Sequence, residues 1–306
     1  MKLKFWGVRG AIACPGRDTV EFGGNTACLE ILVEEANRLI IIDAGSGIRL
    51  LGNDIIKQRK TPPLLKADIF ITHTHWDHIM GFPFFEPLYR QGTSLNIYGP
   101  VTYEEEPLEQ IIGDQLRYRY FPISHSGLAA SLHYHQIGEG DIDLGDGIAL
   151  KTKYMNHTLL CLGYRFEYHG KSICTAFDTE PFRNLFLSDP DSSDYDRELH
   201  EKGEIVVKEE NQRNVDFFRD TDILIHDAQY TFDEYRESKT GWGHSNYEHA
   251  IETAQQAHAK KLFLFHHDPY RKDAELRAIE SKLQKDMDPS SKLEIAMARE
   301  GFEITL

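Results

Sequence analysis

The sequence predicts an α/β fold in which two β-sheets carry helices on their outer faces. Apolar runs of strand length occur in both halves of the chain, and turn signals such as residues 146–147 and 168–171 bound most of them. Amphipathic helical patterns are interspersed among these runs. Paired strands in each half, with helices between them, favour two sheets covered by helices.

The predicted elements can be placed along the chain. The strands cover residues 3–8, 27–33, 39–44, 68–72, 95–98, 132–137, 148–154, 161–168, 172–177, 222–226 and 262–266. The helices cover residues 46–57, 245–258 and 271–285. Ser46 and Ser245 are the expected N-caps of the first two helices, and Glu248 completes a capping-box pattern with Ser245.

The composition is that of a globular protein. The 306 residues are 41% hydrophobic and 27% charged, which excludes a disordered chain, a collagen and a coiled coil. We expect a single domain over residues 1–306, with an acidic surface insertion near residues 182–220. The net charge of −15 disfavours stable binding to nucleic acid, because grip on a phosphate backbone depends on Lys and Arg.

The sequence also predicts a cytoplasmic protein. Its first residues lack the apolar stretch and the small-residue cleavage site of a signal peptide. No apolar run approaches the length of a membrane span, so no membrane contact is expected. The 4 cysteines form no Cys-x-x-Cys pair and are too few for a disulfide framework, so we expect reduced thiols.

The clearest chemical signal directly follows the fourth predicted strand. Residues 73–78 read His-Thr-His-Trp-Asp-His, which places three imidazoles and one carboxylate close together. These groups are ligands for zinc and its first-row neighbours. His73 and His75, as alternate residues, can point together at one metal, while Asp77 and His78 can turn toward a second. The segment therefore predicts a metal site.

Further candidate ligands stand alone at the ends of other predicted strands. They are Asp43, His157, Asp178 and His266. A buried acid at the end of an apolar strand is costly unless it is paired or bound to a metal. Each residue alone could be an ordinary turn or capping residue, but their occurrence together with the motif at 73–78 supports one metal centre.

The ordered set of these residues resembles the five sequence motifs of the metallo-β-lactamase fold superfamily along most of the chain. The resemblance implies an αββα sandwich with a dinuclear metal site at one edge. The implied ligands of one metal are His73, His75 and His157. Those of the other metal are Asp77, His78 and His266. Asp178 would bridge the two ions, and Asp43 would orient the ligand loop. His267 is an alternative to His266, which we prefer because it directly ends a strand.

Two shorter segments resemble ribonuclease Z. Residues 225–230 (Ile-His-Asp-Ala-Gln-Tyr) are similar to its His-Glu-Ala-Thr-Phe stretch, and residues 243–245 (Gly-His-Ser) are similar to its His-Ser-Thr stretch. The chain departs from the family at Asp227 and Gln229, which stand where the family has Glu and Thr. The resemblance implies that His244 is a catalytic general acid.

The same resemblance suggests partners for His244. Asp77 and His226 are the other candidate catalytic residues, and Asp227 is a candidate for orienting the proton network. His226 could equally be a core histidine or one that only supports the site.

Several other segments resemble a bacterial branch of metal-dependent hydrolases related to ribonuclease Z and to cyclic-nucleotide-degrading enzymes, including the phage anti-Pycsar phosphodiesterases. These segments are residues 5–10, 22–28, 227–230, 241–245 and 266–269. Candidate substrate contacts within or beside them are Asn25, His267, Trp242 and Tyr230. A turn at residues 23–24 could bring Asn25 to the site, and the two aromatic residues could stack on a base.

These resemblances imply a metal-dependent phosphodiesterase acting on a small phosphodiester, with a cyclic nucleotide as first choice. A hydroxide bridging the two metals would attack phosphorus, and His244 would protonate the leaving alkoxide. The alternatives are transfer-RNA 3′ processing, which shares the catalytic residues, and thioester or lactone hydrolysis on the same fold. The donor set suits Zn²⁺, Mn²⁺ and Fe²⁺ alike; we expect Zn²⁺ or Mn²⁺ ahead of iron. A homodimer is a further expectation.

Overall fold

The computed structural model describes residues 1–58, 65–102, 106–192 and 194–306. These residues form two seven-stranded sheets. The strands of the first sheet are β1 (Lys2–Gly7), β2 (Cys28–Val33), β3 (Arg38–Ile42), β4 (Leu65–Phe70), β5 (Thr93–Pro100), β6 (Ser131–Ile137) and β14 (Glu303–Thr305). Those of the second are β7 (Gly140–Asp143), β8 (Ala149–Met155), β9 (Cys161–Tyr168), β10 (Lys171–Ala176), β11 (Ile223–Asp227), β12 (Lys261–Phe265) and β13 (Glu294–Met297).

The two sheets share one pattern of strand directions. In the order β14-β1-β2-β3-β4-β5-β6, the pairs up to β3 are antiparallel and the pairs after it are parallel. In the order β7-β8-β9-β10-β11-β12-β13, the change falls in the same place, at β10. Parallel strands end at the same edge of a sheet, so the residues that follow them meet there.

Three apolar clusters define the layers. The central cluster lies between the sheets and draws on both, for example Phe5 and Phe70 from the first and Phe166 and Phe263 from the second. A second cluster covers the other face of the first sheet and a third covers that of the second sheet. This is the αββα sandwich that the resemblance implied.

The helices supply the outer layers. Among the described residues they are α1 (Ile48–Gln58), α2 (Trp76–Ile79), α3 (Leu108–Asp114), α4 (Arg197–Phe218), α5 (Phe232–Glu234), α6 (Tyr247–Gln256) and α7 (Asp273–Asp286). Buried residues of α1 and α3 join the cluster on the first sheet, and those of α4, α6 and α7 join the cluster on the second. None of these helices is long and apolar enough to cross a membrane.

The structure corrects both predicted helix N-caps. Helix α6 is capped by Asn246, whose side chain accepts a hydrogen bond from the backbone N–H of His249. The hydroxyl of Ser245 instead donates to the carbonyl oxygen of Thr179 at 2.6 Å. The hydroxyl of Ser46 donates to Asn25 at 3.0 Å and accepts from the backbone of Thr26, so it ties two loops together.

The acidic segment near residues 182–220 contains the 22-residue helix α4, which the sequence analysis did not predict. Its last turns are anchored, since Val215 and Phe218 are buried in the cluster on the second sheet. Strands β7, β13 and β14 were also missed. They have 4, 4 and 3 residues, too short for a clear alternating pattern.

Candidate metal centre

The loops that follow the central strands gather the predicted ligands at one edge of the sandwich. Asp43 follows β3, residues 73–78 follow β4, and Asp178 follows β10. The backbone turns sharply at Asp43, after β3, and at His266, after β12, where φ is 60° and 63°. This left-handed conformation is strained for a non-glycine residue and is concentrated at functional sites.

The first ligand group consists of His73, His75, His157 and Asp178, whose ligand atoms all lie within 4.8 Å of one another. Nδ1 of His75 lies 2.9 Å from Nε2 of His73 and 3.1 Å from Nε2 of His157. Oδ2 of Asp178 lies 3.5 Å from Nε2 of His73. Three imidazoles and one carboxylate oxygen around one point are suited to a divalent metal.

The second ligand group consists of Asp77, His78 and His266. Nε2 of His266 lies 3.1 Å from Oδ2 of Asp77 and 3.3 Å from Nε2 of His78. The other oxygen of Asp178, Oδ1, lies 3.1 Å from Nε2 of His78. Asp178 therefore turns one carboxylate oxygen toward each ligand group, as a bridging ligand does.

Hydrogen bonds on the outer side of the site fix the histidine tautomers. Nδ1 of His78 donates to Oδ2 of Asp43 at 2.6 Å, and Nδ1 of His157 donates to the carbonyl oxygen of Gly243 at 2.8 Å. Each ring therefore presents the lone pair of Nε2 to the other ligand atoms. Burial, together with His244, lowers the pKa of His157 to about 4, so this ring is neutral at pH 7.

The arrangement fits bound divalent cations. Lone pairs and carboxylate oxygens that face one another at these distances repel unless a cation lies between them. Burial opposes ionisation of Asp178, but positive charge on the surrounding histidines, His266 first, holds its pKa well below its usual range; bound metal ions would supply that charge instead. Oδ1 of Asp178 is fully buried and has no hydrogen-bond partner in the described parts of the chain. A metal ion would satisfy it.

Asp43 lies beside the ligands rather than among them. It is fully buried and accepts hydrogen bonds from the backbone N–H of Thr72 at 2.7 Å and from the Thr72 hydroxyl at 2.8 Å. Together with the bond from His78, these contacts occupy both carboxylate oxygens. The contacts match the orienting role that the resemblance implied for Asp43.

His244 and Asp227 form a pair beside the two ligand groups. Nδ1 of His244 donates to Oδ2 of Asp227 at 2.9 Å, and the His244 ring stacks on His266 with centroids 4.9 Å apart. The His244 side chain is 16% exposed, so it can be reached from solvent. Burial disfavours its charge, but Asp227 and then Asp178 outweigh burial and raise the pKa of His244 to about 9.

The ligand atoms of Asp178, Asp227, His244 and His266 also lie within 4.8 Å of one another. This third group shares Asp178 and His266 with the groups described above, so it would compete with them for the same atoms. Oδ2 of Asp227 already accepts from His244 and from the backbone N–H of Thr179 at 3.1 Å, while its buried Oδ1 has no hydrogen-bond partner among the described residues.

The structure does not bring His226 to the cluster. Its Nδ1 donates to the backbone carbonyl of Asp227 at 2.7 Å, and its ring contacts Phe218 and His249. Neighbouring residues of a strand point to opposite faces, so Asp227 faces the metal centre and His226 faces the helices. This position matches the interpretation of His226 as a core histidine.

His267 is likewise separated from the site. It is fully buried, its Nε2 donates to the carbonyl oxygen of Ala298 at 2.8 Å, and its ring meets Phe22 edge-on. The choice of His266 over His267 as the residue beside the ligands therefore agrees with the geometry, while the structure does not bring the His267 side chain, predicted as a substrate contact, to the site.

The other predicted substrate contacts differ in accessibility. Asn25 donates to Glu300 at 3.0 Å and accepts from Ser46, so both ends of its side chain amide are engaged. Tyr230 is only 3% exposed, although its ring centroid lies 6.3 Å from that of His244. Trp242 is 55% exposed, and Nζ of Lys239 lies 3.7 Å from its ring centroid.

Some residues that shape the site were not among the candidates named from the sequence. A Cβ atom at Gly10 would lie 2.4 Å from Cε1 of His266, so only glycine leaves room for that ring. The backbone N–H of Ala11 donates to Oδ2 of Asp77 at 2.7 Å and helps to orient this carboxylate. Glu180 accepts three hydrogen bonds from the segment that carries His244.

Comparison with known proteins agrees with this geometry. A family model described as the metallo-beta-lactamase superfamily matches residues 24–152. A ribonuclease Z of Streptococcus agalactiae serotype V is 30% identical over 268 residues, covering 77% of this chain and 81% of that protein. The chain belongs to the metallo-beta-lactamase superfamily.

Solved structures of this superfamily share the fold of the chain. The metallo-beta-lactamase fold protein YhfI from Bacillus subtilis aligns with a TM-score of 0.64 at 16% identity, over 99% of this chain and 98% of its own. Human tRNase Z, short form, aligns with a TM-score of 0.63 at 18% identity, over 100% of this chain and 99% of its own. With its candidate metal-binding cluster, this member of the metallo-beta-lactamase superfamily is a metal-dependent hydrolase.

Proposed function

We propose that this hydrolase cleaves phosphodiesters with two divalent metal ions and with His244 as the general acid. One observation carries the proposal: Asp178 turns its two oxygens toward two separate ligand groups, and the His244–Asp227 pair lies beside both. A two-metal clamp next to a proton donor is well suited to in-line displacement at phosphorus.

The protein ligands divide between the two ions. The first ion would bind His73, His75 and His157. The second would bind Asp77, His78 and His266. Asp178 would bind both. When bound, the ions supply a water of lowered pKa as nucleophile and neutralise charge on the phosphoryl oxygens. Zn²⁺ and Mn²⁺ are the ions we propose for this nitrogen and oxygen donor set.

His244 is placed to handle the leaving group. Its Nδ1 is held by Asp227, so its Nε2 is the ring atom that exchanges a proton with a substrate. An alkoxide leaving group has a high pKa and leaves slowly unless it is protonated as the P–O bond breaks. Asp227 keeps the ring in one tautomer and orientation during this transfer.

A small phosphodiester, such as a cyclic nucleotide, is the substrate class that we propose. The net charge of −15 opposes a long phosphate backbone and is less of a barrier to a ligand with a single phosphodiester. The exposed Trp242 ring, with Lys239 against it, is available for stacking on a base near His244. A homodimer stays a separate prediction.

Transfer-RNA 3′ processing is the second candidate. It is favoured by the similarity to ribonuclease Z of Streptococcus agalactiae, at 30% identity over 81% of that protein. The same metal ligands and the same His244–Asp227 pair would serve this reaction. The two candidates differ in salt dependence, because binding to a polynucleotide weakens steeply as salt rises and binding to a small diester does not.

A substrate panel tests the proposal. Bis-(p-nitrophenyl) phosphate, p-nitrophenyl phosphate, a thioester and a lactone are each incubated with the protein, with Zn²⁺ or Mn²⁺ and with a chelator. Metal-dependent hydrolysis of the diester alone is expected, followed by turnover of a cyclic nucleotide. Hydrolysis of the thioester or lactone without the diester would contradict the proposal. Cleavage of precursor transfer RNA without cyclic-nucleotide turnover would select the second candidate.

A further inference from the structure

Glu180 lies where three loops of the metal centre meet. It follows Asp178 by two residues and is 5% exposed. Its backbone N–H donates to the carbonyl oxygen of Asn156 at 2.8 Å, and the Asn156 side chain donates back to the Glu180 carbonyl at 3.1 Å. Asn156 directly precedes the ligand His157. Glu180 therefore joins the loops that carry the bridging carboxylate and this histidine.

The Glu180 carboxylate holds the third loop, which carries His244. Its Oε1 accepts from the Tyr235 hydroxyl at 2.7 Å and from the backbone N–H of Gly241 at 2.6 Å. Its Oε2 accepts from the backbone N–H of Gly243 at 2.9 Å. Both carboxylate oxygens are thus used, and two of the three donors are backbone groups that cannot accept a hydrogen bond.

The held loop in turn orients the ligand His157. The carbonyl oxygen of Gly243 accepts from Nδ1 of His157 at 2.8 Å. Gly243 has a φ of 83°, and a Cβ atom there would lie 2.4 Å from Nδ1 of His157. The ring and the loop therefore fit closely. Displacing Gly243 would release the bond that fixes the His157 tautomer.

The same loop sets the position of His244. This residue directly follows Gly243, and its ring is fixed at the other side by Asp227. The residue before Glu180 contributes as well: Thr179 donates its backbone N–H to Asp227 at 3.1 Å and accepts from the Ser245 hydroxyl. Residues 178–180 thereby contact the bridging position, the general acid pair and the loop between them.

We infer that Glu180 is a positioning residue that couples metal binding by the first ligand group to the placement of His244. Its carboxylate belongs to none of the ligand groups of the described residues and acts through Gly243, whose carbonyl orients His157 and whose neighbour is His244. The coupling to metal binding rests on the geometry of the ligands, while the coupling to His244 rests on the proposed function.

The test is the substitution Glu180→Gln, which keeps the size of the side chain. A glutamine has one acceptor oxygen, so its NH₂ group must face at least one backbone N–H, from Gly241 or from Gly243. Zn²⁺ titrations against a chromophoric chelator, and the visible spectrum of the Co²⁺-loaded protein, report on the ligands independently of activity. Zn²⁺ affinity at one of the two sites should fall about 10–100-fold, with a changed Co²⁺ spectrum.

Asp222→Asn is the matched control. Asp222 is a buried carboxylate before β11, at the end of that strand far from Asp227, where it accepts from Ser172 at 2.9 Å and from Lys260 at 2.6 Å. This variant should bind Zn²⁺ like the wild type even if it melts at a lower temperature. Equal Zn²⁺ titrations for Glu180→Gln, Asp222→Asn and the wild type would overturn the inference.

Two further readouts make the test decisive. If Glu180→Gln does not fold, Tyr235→Phe removes one donor to the same carboxylate and should shift the Zn²⁺ titration in the same direction. An unchanged titration would count against the positioning role of Glu180.

In Glu180→Gln, the kcat for hydrolysis of an alkyl phosphodiester should fall, with little change in KM. A wild type without diesterase activity would sink the proposed function, while the Zn²⁺ result would still decide the role of Glu180.

Discussion

Asp43 and Asp178 occupy equivalent places in the two sheets but have different surroundings. Asp43 follows β3 and Asp178 follows β10, and each of these strands is the one at which antiparallel pairing changes to parallel pairing. Both carboxylates are buried, with 0% and 1% exposure. Asp43 accepts three hydrogen bonds from Thr72 and His78, whereas Oδ1 of Asp178 accepts none from the described residues.

The neighbouring strand makes the difference. In the first sheet, the strand beside β3 is β4, and the chain beyond it supplies the N–H and hydroxyl of Thr72 to Asp43. In the second sheet, the strand beside β10 is β11, which ends in another carboxylate, Asp227. Asp43, with both oxygens hydrogen-bonded, can orient a ligand, while the unpaired Oδ1 of Asp178 faces His78 and is available to bind metal. Position in the fold therefore places the acid, and its neighbours decide its role.

Removing Asp178 should have the largest effect. Asp178→Ala takes away the only carboxylate among the described residues that faces both ligand groups, so we expect loss of both ions and at least about a 10³-fold fall in diester turnover. Metal content by mass spectrometry and turnover with added Zn²⁺ or Mn²⁺ measure this. A variant that keeps two ions per chain would show that Asp178 does not bridge.

Removing His244 should separate acid catalysis from metal binding. His244→Ala should keep both ions, and its turnover of an alkyl phosphodiester should fall about 10²–10⁴-fold. A p-nitrophenolate leaving group needs little protonation, so the loss on bis-(p-nitrophenyl) phosphate should be smaller. Equal losses on the two substrates would exclude His244 as the acid, and so would full activity on the alkyl diester.

Replacing Asp43 should weaken the site without removing it. In Asp43→Asn, the amide NH₂ must face either the backbone N–H of Thr72 or the Nδ1–H of His78, so at least one of the bonds that hold the ligand loop is lost. Metal affinity should fall about 10–100-fold, and turnover should recover with excess metal. If Asp43→Asn lost metal and turnover as completely as Asp178→Ala, the proposed difference in role between the two carboxylates would be wrong.

The smallest effect is expected at His226. His226→Gln alters a ring that faces helices α4 and α6, on the opposite side of β11 from Asp227. Metal content and kcat should match those of the wild type, even if the melting temperature falls. Loss of turnover with normal metal content would restore His226 as a catalytic candidate.

The sequence predicted the candidate metal ligands better than it predicted the roles of the residues around them. The strands before Asp43, His73 and His266 have 5 or 6 residues and end on apolar side chains, so their ends, and the ligands that follow them, could be located. The sequence predicted less reliably those roles that depend on the direction in which a side chain points. His226 and His267 each adjoin a residue that faces the site. Alternation within β11 separates His226 from Asp227, whereas His266 and His267 follow β12, where His266 has a φ of 63° and strand alternation does not apply.

The residues that support the ligand loops could not be predicted from the sequence. Glu180 contacts Gly241 and Gly243, about sixty residues further along the chain, and nothing in the pattern around position 180 indicates these bonds. Helix α4 was missed because it is strongly polar, with four buried residues in 22. Long-range packing, rather than local pattern, determines both features.

Anomalous diffraction from a crystal grown with Zn²⁺ tests the central claim most directly, because it locates each ion relative to Asp178. Two ions are expected, one bound by His73, His75 and His157 and the other by Asp77, His78 and His266, with one oxygen of Asp178 on each. A single ion, an Asp178 that binds only one ion, or an ion held by Asp227 and His244 would contradict the bridging role.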